Sequence, residues 1–337
     1  MLKLSAFLYG KMIELRNALY DKGVLDTHDL GALTISIGNI TAGGTGKTPL
    51  VAYVAEVLAA RGEKVCVLTR GYGRKDANKR VLVSDGEQIL AEPDVAGDEP
   101  VELAKKLLGK AIVIADADRV ASAEWARRKF GVTTFVLDDG FQHRRAMRDV
   151  DILCIDATDP FGGGKMLPAG RLREPMHYIS RADAIVITRA NLAENVENLK
   201  SEISDLSPAA AIFIAENKIN RVTDLEDFHT ARPQQKDVES LRKAFAFCGI
   251  GNPDNFFDQL RQENTEVVST CVFRDHHVYT ASDVTNIERL AAASNADILL
   301  TTAKDAVKLS HLKFSTPCFV VEIEMVIDDE SAFSEML

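Results

Sequence analysis

Apolar, mostly β-branched runs recur along the chain: "LTISIGNI", "KVCVLTR", "AIVIAD", "TTFVLDD", "VDILCIDA", "AIVITRA" and "AAIFIAEN". Their hydrophobicity is nearly continuous rather than alternating, which predicts strands covered on both faces. "PLVAYVAEVLAARG" and "PVELAKKLLG" have helical spacing, with proline near the start and glycine after the end. Alternating strand and helix predicts an α/β fold with a doubly wound, mostly parallel sheet. "RVLVSDGEQIL" reads as a hairpin insertion turning at Asp85-Gly86. The polar stretch "NRVTDLEDFHTARPQQKDVESLRK" breaks the rhythm, and "AFAFCGIG", "EVVSTCVF", "DILLTTAKD" and "CFVVEIEMV" resume it. The predicted layout is a helical segment over 1–30, a larger domain over 31–220, a linker over 221–243 and a smaller α/β domain over 244–337. A cleft between two such domains is a natural substrate site.

The N-terminal segment has a pattern of its own. Leu4, Phe7, Leu8, Met12, Leu15 and Leu19 recur at helical spacing beside Lys3, Lys11 and Arg16. On pattern alone this favours a helix packed on the core, with a helix lying in a membrane interface as the alternative. No apolar run is long enough to cross a bilayer, and no clean small-residue cleavage site marks a signal peptide.

Composition adds limits. The chain has 337 residues, 46% hydrophobic and 27% charged, enough for one large or two modest domains with a real core. Its net charge of −10 argues against general nucleic-acid binding. The five cysteines are scattered, with no CxxC pair, which points to a reducing cytoplasm rather than a disulfide framework or zinc ribbon.

The most informative local stretch is "TAGGTGKT", Thr41–Thr48, set between a predicted strand and a predicted helix. In a phosphate-binding loop of this kind, Thr41, Ala42, Gly43, Gly44, Thr45 and Gly46 wrap backbone N–H groups around phosphate oxygens. Lys47 reaches the β- and γ-phosphates, and Thr48 offers a hydroxyl to Mg²⁺. The first glycine of the usual pattern is Thr41 here. Such enzymes also need a carboxylate at a neighbouring strand end, and "TTFVLDDG" supplies Asp138 and Asp139, to hold Mg²⁺ directly or through water. Candidate general bases are Asp98 and Glu99 in "AGDEP" and Asp275, His276 and His277 in "FRDHHVY", since an Asp paired with a His deprotonates an alcohol better than either alone. Arg70 and Arg74 in "TRGYGR", Arg119 after "ADAD", and Arg171 and Arg173 in "GRLREP" are candidate phosphate ligands. "LLTTAKDAVKL", with Lys304 and Asp305, is expected near the nucleotide base or a hinge.

"GNITAGGTGKTP", "LTRGYGR", "GDEP", "LDDGFQHRR", "LPAGRLREP", "FRDHHVY" and "TTAKDAVKL", in this order, resemble the tetraacyldisaccharide 4′-kinase (lipid A 4′-kinase) family over nearly the whole chain. The resemblance implies transfer of the γ-phosphate of ATP to the 4′-hydroxyl of a tetraacylated glucosamine disaccharide 1-phosphate, giving lipid IVA, with ATP and Mg²⁺ as cofactors. It implies a peripheral protein on the cytoplasmic face of the inner membrane, with the N-terminal helix docking on lipid, no nucleic-acid partner and no obligate protein partner. It pairs Asp98 with His276 across the cleft, so that the base assembles on closure. Glu99 would assist the metal, Arg173 contact the acceptor, Glu174 contact metal or sugar, and Gln142 make a polar contact; Arg74 and Arg119 would join Arg173 in binding substrate. The competing readings are another P-loop small-molecule kinase and a membrane-associated, nucleotide-switched ATPase.

Overall fold

The computed structural model describes residues 2–230, 235–236 and 243–337. Every apolar run named above becomes a strand. In chain order they are β1 (Leu33–Gly38), β2 (Val65–Thr69), β3 (Val81–Ser84), β4 (Ala111–Ala115), β5 (Thr134–Asp138), β6 (Val150–Asp156), β7 (Ala184–Thr188), β8 (Ala211–Asp224), β9 (Gln235–Lys236), β10 (Ala244–Cys248), β11 (Val267–Val272), β12 (Ile298–Thr302) and β13 (Cys318–Ile327). The helices are α1 (Leu2–Asp21), α2 (Lys47–Ala60), α3 (Pro93–Ala96), α4 (Asp98–Lys106), α5 (Arg119–Phe130), α6 (Val196–Leu206), α7 (Leu225–Phe228), α8 (Pro253–Gln262), α9 (Ala281–Ala293), α10 (Ala303–Ala306) and α11 (Glu330–Met336).

These strands form one 13-stranded sheet in the order β11-β10-β12-β13-β8-β7-β6-β1-β5-β2-β4-β3, with β9 beside β8. Most pairs are parallel; β3 with β4, β8 with β9 and β8 with β13 run antiparallel. Helices cover both faces. Ile35, Ile37, Val67, Val113 and Val136 pack beneath α2 and α4, whereas Leu68, Ile114, Phe135 and Leu137 face α5 on the other side. Alternate residues of one strand thus feed two cores, which is why these runs are continuously apolar. The hairpin forms as expected: Leu90 N–H donates to the Val83 carbonyl at 2.7 Å, and β3 closes the sheet edge.

The expected boundary at residue 220 falls inside β8, a 14-residue strand that pairs with β7 at one end and β13 at the other. The first four residues of the expected linker are strand and 225–228 are helix; 231–234 and 237–242 lie outside the described residues. The sheet therefore does not stop between the two α/β halves but continues through a shared strand.

Helix α1 buries only a narrow stripe, Ala6, Gly10, Ile13 and Asn17, at helical spacing. Leu2, Leu4, Phe7, Leu8, Met12 and Leu15 are all exposed, whereas Leu19 is half-buried. Among the described residues no helix is long and apolar enough to cross a membrane.

Candidate active site

The parallel register builds the site at the carboxyl ends of β1, β5 and β2. Ile37 lies level with Asp138 and Leu68 with Leu137, so the loop after β1 starts beside the acidic end of β5 and the threonine ending β2. Ligand crevices in open α/β sheets form at such strand ends. A cavity of about 1340 Å³ opens there, lined by the Ala42–Thr48 loop, Arg119, Asp138, Asp139, Gln142, Arg173 and Glu99 from one half and Gly251, Asp275, His276 and Lys304 from the other.

The loop is held from outside, leaving its interior clear. Ala42 N–H donates to the Arg171 carbonyl at 2.7 Å, the Arg171 side chain returns a bond to the Ala42 carbonyl at 2.8 Å, and Thr41 bridges to Leu172. Thr188 donates to the Thr45 carbonyl and Arg189 to the Gly44 carbonyl, both at 2.8 Å. Gly43 has φ 116°, and a Cβ there would meet the Arg171 guanidinium at 2.4 Å, so glycine is required. Lys47 Nζ lies 3.1 Å from Asn39 Oδ1 and 3.5 Å from Asp139. Thr48 follows in the first turn of α2 and also lines the cavity.

Asp138 and Asp139 are adjacent but differently housed. Asp138 accepts from the Thr69 hydroxyl at 2.6 Å. Burial, then the nearby Glu99 carboxylate, pushes its carboxyl up to about 6. Asp139 is pinned by Arg173, whose Nη1 lies 2.8 Å from both carboxylate oxygens. Burial acts to raise it, but Lys47 and Arg173 outweigh burial and hold it down to about 2. Arg119 is buried and reaches the Asp138 carbonyl at 3.4 Å. Gln142 donates to the Asn39 carbonyl at 2.8 Å at the base of the loop.

Asp98 and His276 meet across the seam. Gly97, at φ 97°, turns the chain into α4 where a Cβ would strike the Tyr72 carbonyl at 2.8 Å, and Asp98 opens the helix. Nδ1 of His276 lies 2.9 Å from both Asp98 oxygens. A carboxylate only accepts, so Nδ1 carries the proton and Nε2 is left as the base. The hydrogen bond that His276 donates to Asp98 raises the His276 pKa, while burial and Lys304 pull it the other way. Burial acts to raise the Asp98 carboxyl, but the His276 hydrogen bond and the Lys304 and Lys308 ammonium groups hold it down to about 2. Lys304 adds a second cross-seam bridge, 2.9 Å to Glu99 and 3.1 Å to Asp275. Tyr72 lies against the imidazole, ring centroids 5.3 Å apart.

Several expected residues lie elsewhere. Arg74 is buried with its guanidinium donating to the carbonyls of Ala115, Ala77 and Lys79 at 2.6, 2.6 and 2.9 Å. It braces the "RGYGR" turn and does not line the cavity. Glu174 is fully buried, held by Arg181 at 2.7 Å and Asn17 at 2.8 Å, and so clamps α1 rather than facing a metal or sugar. Asp305 accepts from Gly249 N–H and Thr302, and His277 contacts Asp283 at the start of α9; neither lies on the cavity wall. Sequence reading missed Thr69, Asn39, Arg189 and the bridging role of Lys304. Thr69 and Arg189 stand at or just past strand ends, a position that itself flags ligand-side residues.

The family model described as tetraacyldisaccharide-1-P 4′-kinase (LpxK) matches residues 1–337. The tetraacyldisaccharide 4′-kinase of Geobacter metallireducens is 40% identical over 302 residues, covering 89% of this chain and 86% of that protein. That of Halothermothrix orenii is 38% identical over 313 residues, 90% and 81% respectively. The crystal structure of LpxK from Aquifex aeolicus, an "apo" form in complex with ATP, superposes with a TM-score of 0.76 at 32% identity, covering 98% of this chain and 95% of that one.

Proposed function

This chain belongs to the tetraacyldisaccharide-1-P 4′-kinase family of lipid A biosynthesis, and from that premise we propose how its residues divide the transfer of the ATP γ-phosphate to the 4′-hydroxyl of a tetraacylated disaccharide 1-phosphate. The observation that carries the reading is the 2.9 Å contact between Asp98 and His276, with His276 lining the same cavity as the phosphate loop and Asp98 buried behind it. His276 Nε2 takes the proton of the attacking hydroxyl. Asp98 orients the ring and stabilises the imidazolium that forms. Because the two residues come from opposite sides of the seam, the base exists only when the halves are together, which limits transfer to water.

Lys47 and the loop amides hold the triphosphate; Arg119 and Arg173 flank it, and Gln142 supports the loop from below. The donor set suits a magnesium ion. Asp138 is a buried carboxylate crowded by Glu99, both line the cavity, and the Thr48 hydroxyl lies on the same wall. No group of three or more acidic, His or Cys side chains among the described residues could cage a metal unaided. Bound Mg²⁺ supplies neutralisation of the β- and γ-phosphate charge. Asp138 suits ligation better than Asp139, whose oxygens already face Arg173 and Lys47.

Helix α1 supports docking on the cytoplasmic face of the inner membrane. Tyr9, Ile13 and Arg16 line the cavity, while Leu4, Phe7 and Leu8 on the same helix are bare. A lipid acceptor could pass from bilayer to cavity along one element. The test is γ-labelled ATP with the acyl-disaccharide 1-phosphate in detergent micelles. Label should enter the lipid fraction and be lost with Lys47→Met; ATP hydrolysis without labelled lipid would overturn the reading.

A further inference from the structure

"TTAKDAVKL" contains a basic residue that the cavity does not use. Lys308 follows α10 with its side chain only 9% exposed, and it is not among the residues lining the cavity. Its Nζ lies 3.6 Å from Asp98 Oδ2 across the seam, 2.9 Å from Asp305 Oδ1 and 5.4 Å from the Tyr279 ring centroid. That nitrogen is buried and donates no hydrogen bond of good geometry. A desolvated ammonium so placed is held by charge, and its field on the two carboxylates is strong because little water screens it.

Asp305 links this lysine to the other member of the pair. Its Oδ2 accepts from Gly249 N–H at 2.9 Å and from the Thr302 hydroxyl at 2.8 Å. The Gly249 carbonyl in turn accepts the backbone N–H of His276 at 3.3 Å. One buried carboxylate therefore secures both the turn that carries His276 and the ammonium that faces Asp98. His276 itself sits at φ 59°, a backbone state that needs such support.

We propose that Lys308 is a positioning residue for phosphoryl transfer: from behind the cavity it fixes the ionised Asp98 carboxylate across the seam, so that Asp98 holds the His276 imidazole with Nδ1 protonated and Nε2 ready to accept the acceptor's proton. This rests on the reading of Asp98 and His276 as the general-base pair. Lys308 does not line the cavity, so its effect falls on turnover rather than on binding.

The test is a double-mutant cycle in the full chain, with labelled ATP and acyl-disaccharide acceptor in micelles. The variants are Lys308→Met, which keeps length without charge, His276→Ala, and both together. The expected result is a kcat about tenfold or more lower for Lys308→Met, with KM for ATP and acceptor within about twofold. In the His276→Ala background the same change should cost less than about twofold, because the two act as one unit. Retention of kcat within about threefold in folded Lys308→Met, or a full-sized loss persisting without His276, overturns the inference. If Lys308→Met does not fold, Lys308→Arg, which keeps the charge but moves it, runs through the same cycle under the same criteria. Full activity in His276→Ala alone would instead defeat the base pair itself, and the role of Lys308 with it.

Discussion

At the scale of single residues, the pH behaviour of His276 follows from its partner. The imidazole must be neutral to accept a proton, and the bond to Asp98 raises its pKa. Activity should therefore fall on the acid side through a midpoint above the ordinary histidine value of about 6.5. Asp98→Asn removes the charge that favours the imidazolium. It should move that midpoint down and lower kcat by about 10²-fold or more, read from the pH profile of kcat/KM and from kcat at its plateau. A midpoint unmoved by Asp98→Asn would mean that another group titrates. The phosphate loop was legible at this scale because its chemistry is contiguous: strand, glycines, Lys47 and Thr48 are sequence neighbours. Arg74, Glu174 and Asp305 were not. A guanidinium or carboxylate in a motif looks the same in sequence whether it faces a ligand or a carbonyl, and the partners that decided the matter, such as Ala115 for Arg74 and Asn17 for Glu174, lie far along the chain.

At the scale of elements, α1 shows a division of labour between its two sides. Ala6 and Gly10 are buried against the body, and a Cβ added at Gly10 would meet Met166 Cγ at 3.6 Å. The Asn17 and Arg16 contacts to Glu174 anchor its far end. The large side chains contribute little to that packing, so replacing them should cost little stability. Phe7→Glu with Leu8→Glu should leave the melting temperature nearly unchanged yet weaken binding to anionic vesicles by about 10²-fold or more, since each apolar side chain inserted is worth about 1.5–3 kcal/mol. Co-sedimentation with vesicles measures this; undiminished binding would assign membrane contact elsewhere. The strands were readable because buried parallel strands are continuously apolar. The second half of β8 escaped notice because its pattern changes midway. Beyond β7 it meets antiparallel β13, where burial on alternate positions continues but "ENKINRVTD" is largely polar, so the strand reads as a linker.

At the scale of the whole molecule, the site belongs to neither half. Asp98 with His276 and Glu99 with Lys304 each span the seam. Gly251 comes so close to the phosphate loop that a Cβ there would sit 3.3 Å from Gly44 N and 3.1 Å from Asp275 Oδ2. Gly251→Val should hold the halves slightly apart. A displacement of about 1 Å is enough to reduce turnover on the order of 10²-fold, with the fold intact by circular dichroism. Wild-type turnover in that variant would show that close approach at this point is not needed.

Between those halves runs β8, zipped to β7 at one end and β13 at the other. Sliding one half past the other would tear a backbone ladder, so the inexpensive motion is torsion, which twisted sheets already possess. Any opening of the catalytic mouth would therefore turn about that strand, as a book opens about its spine.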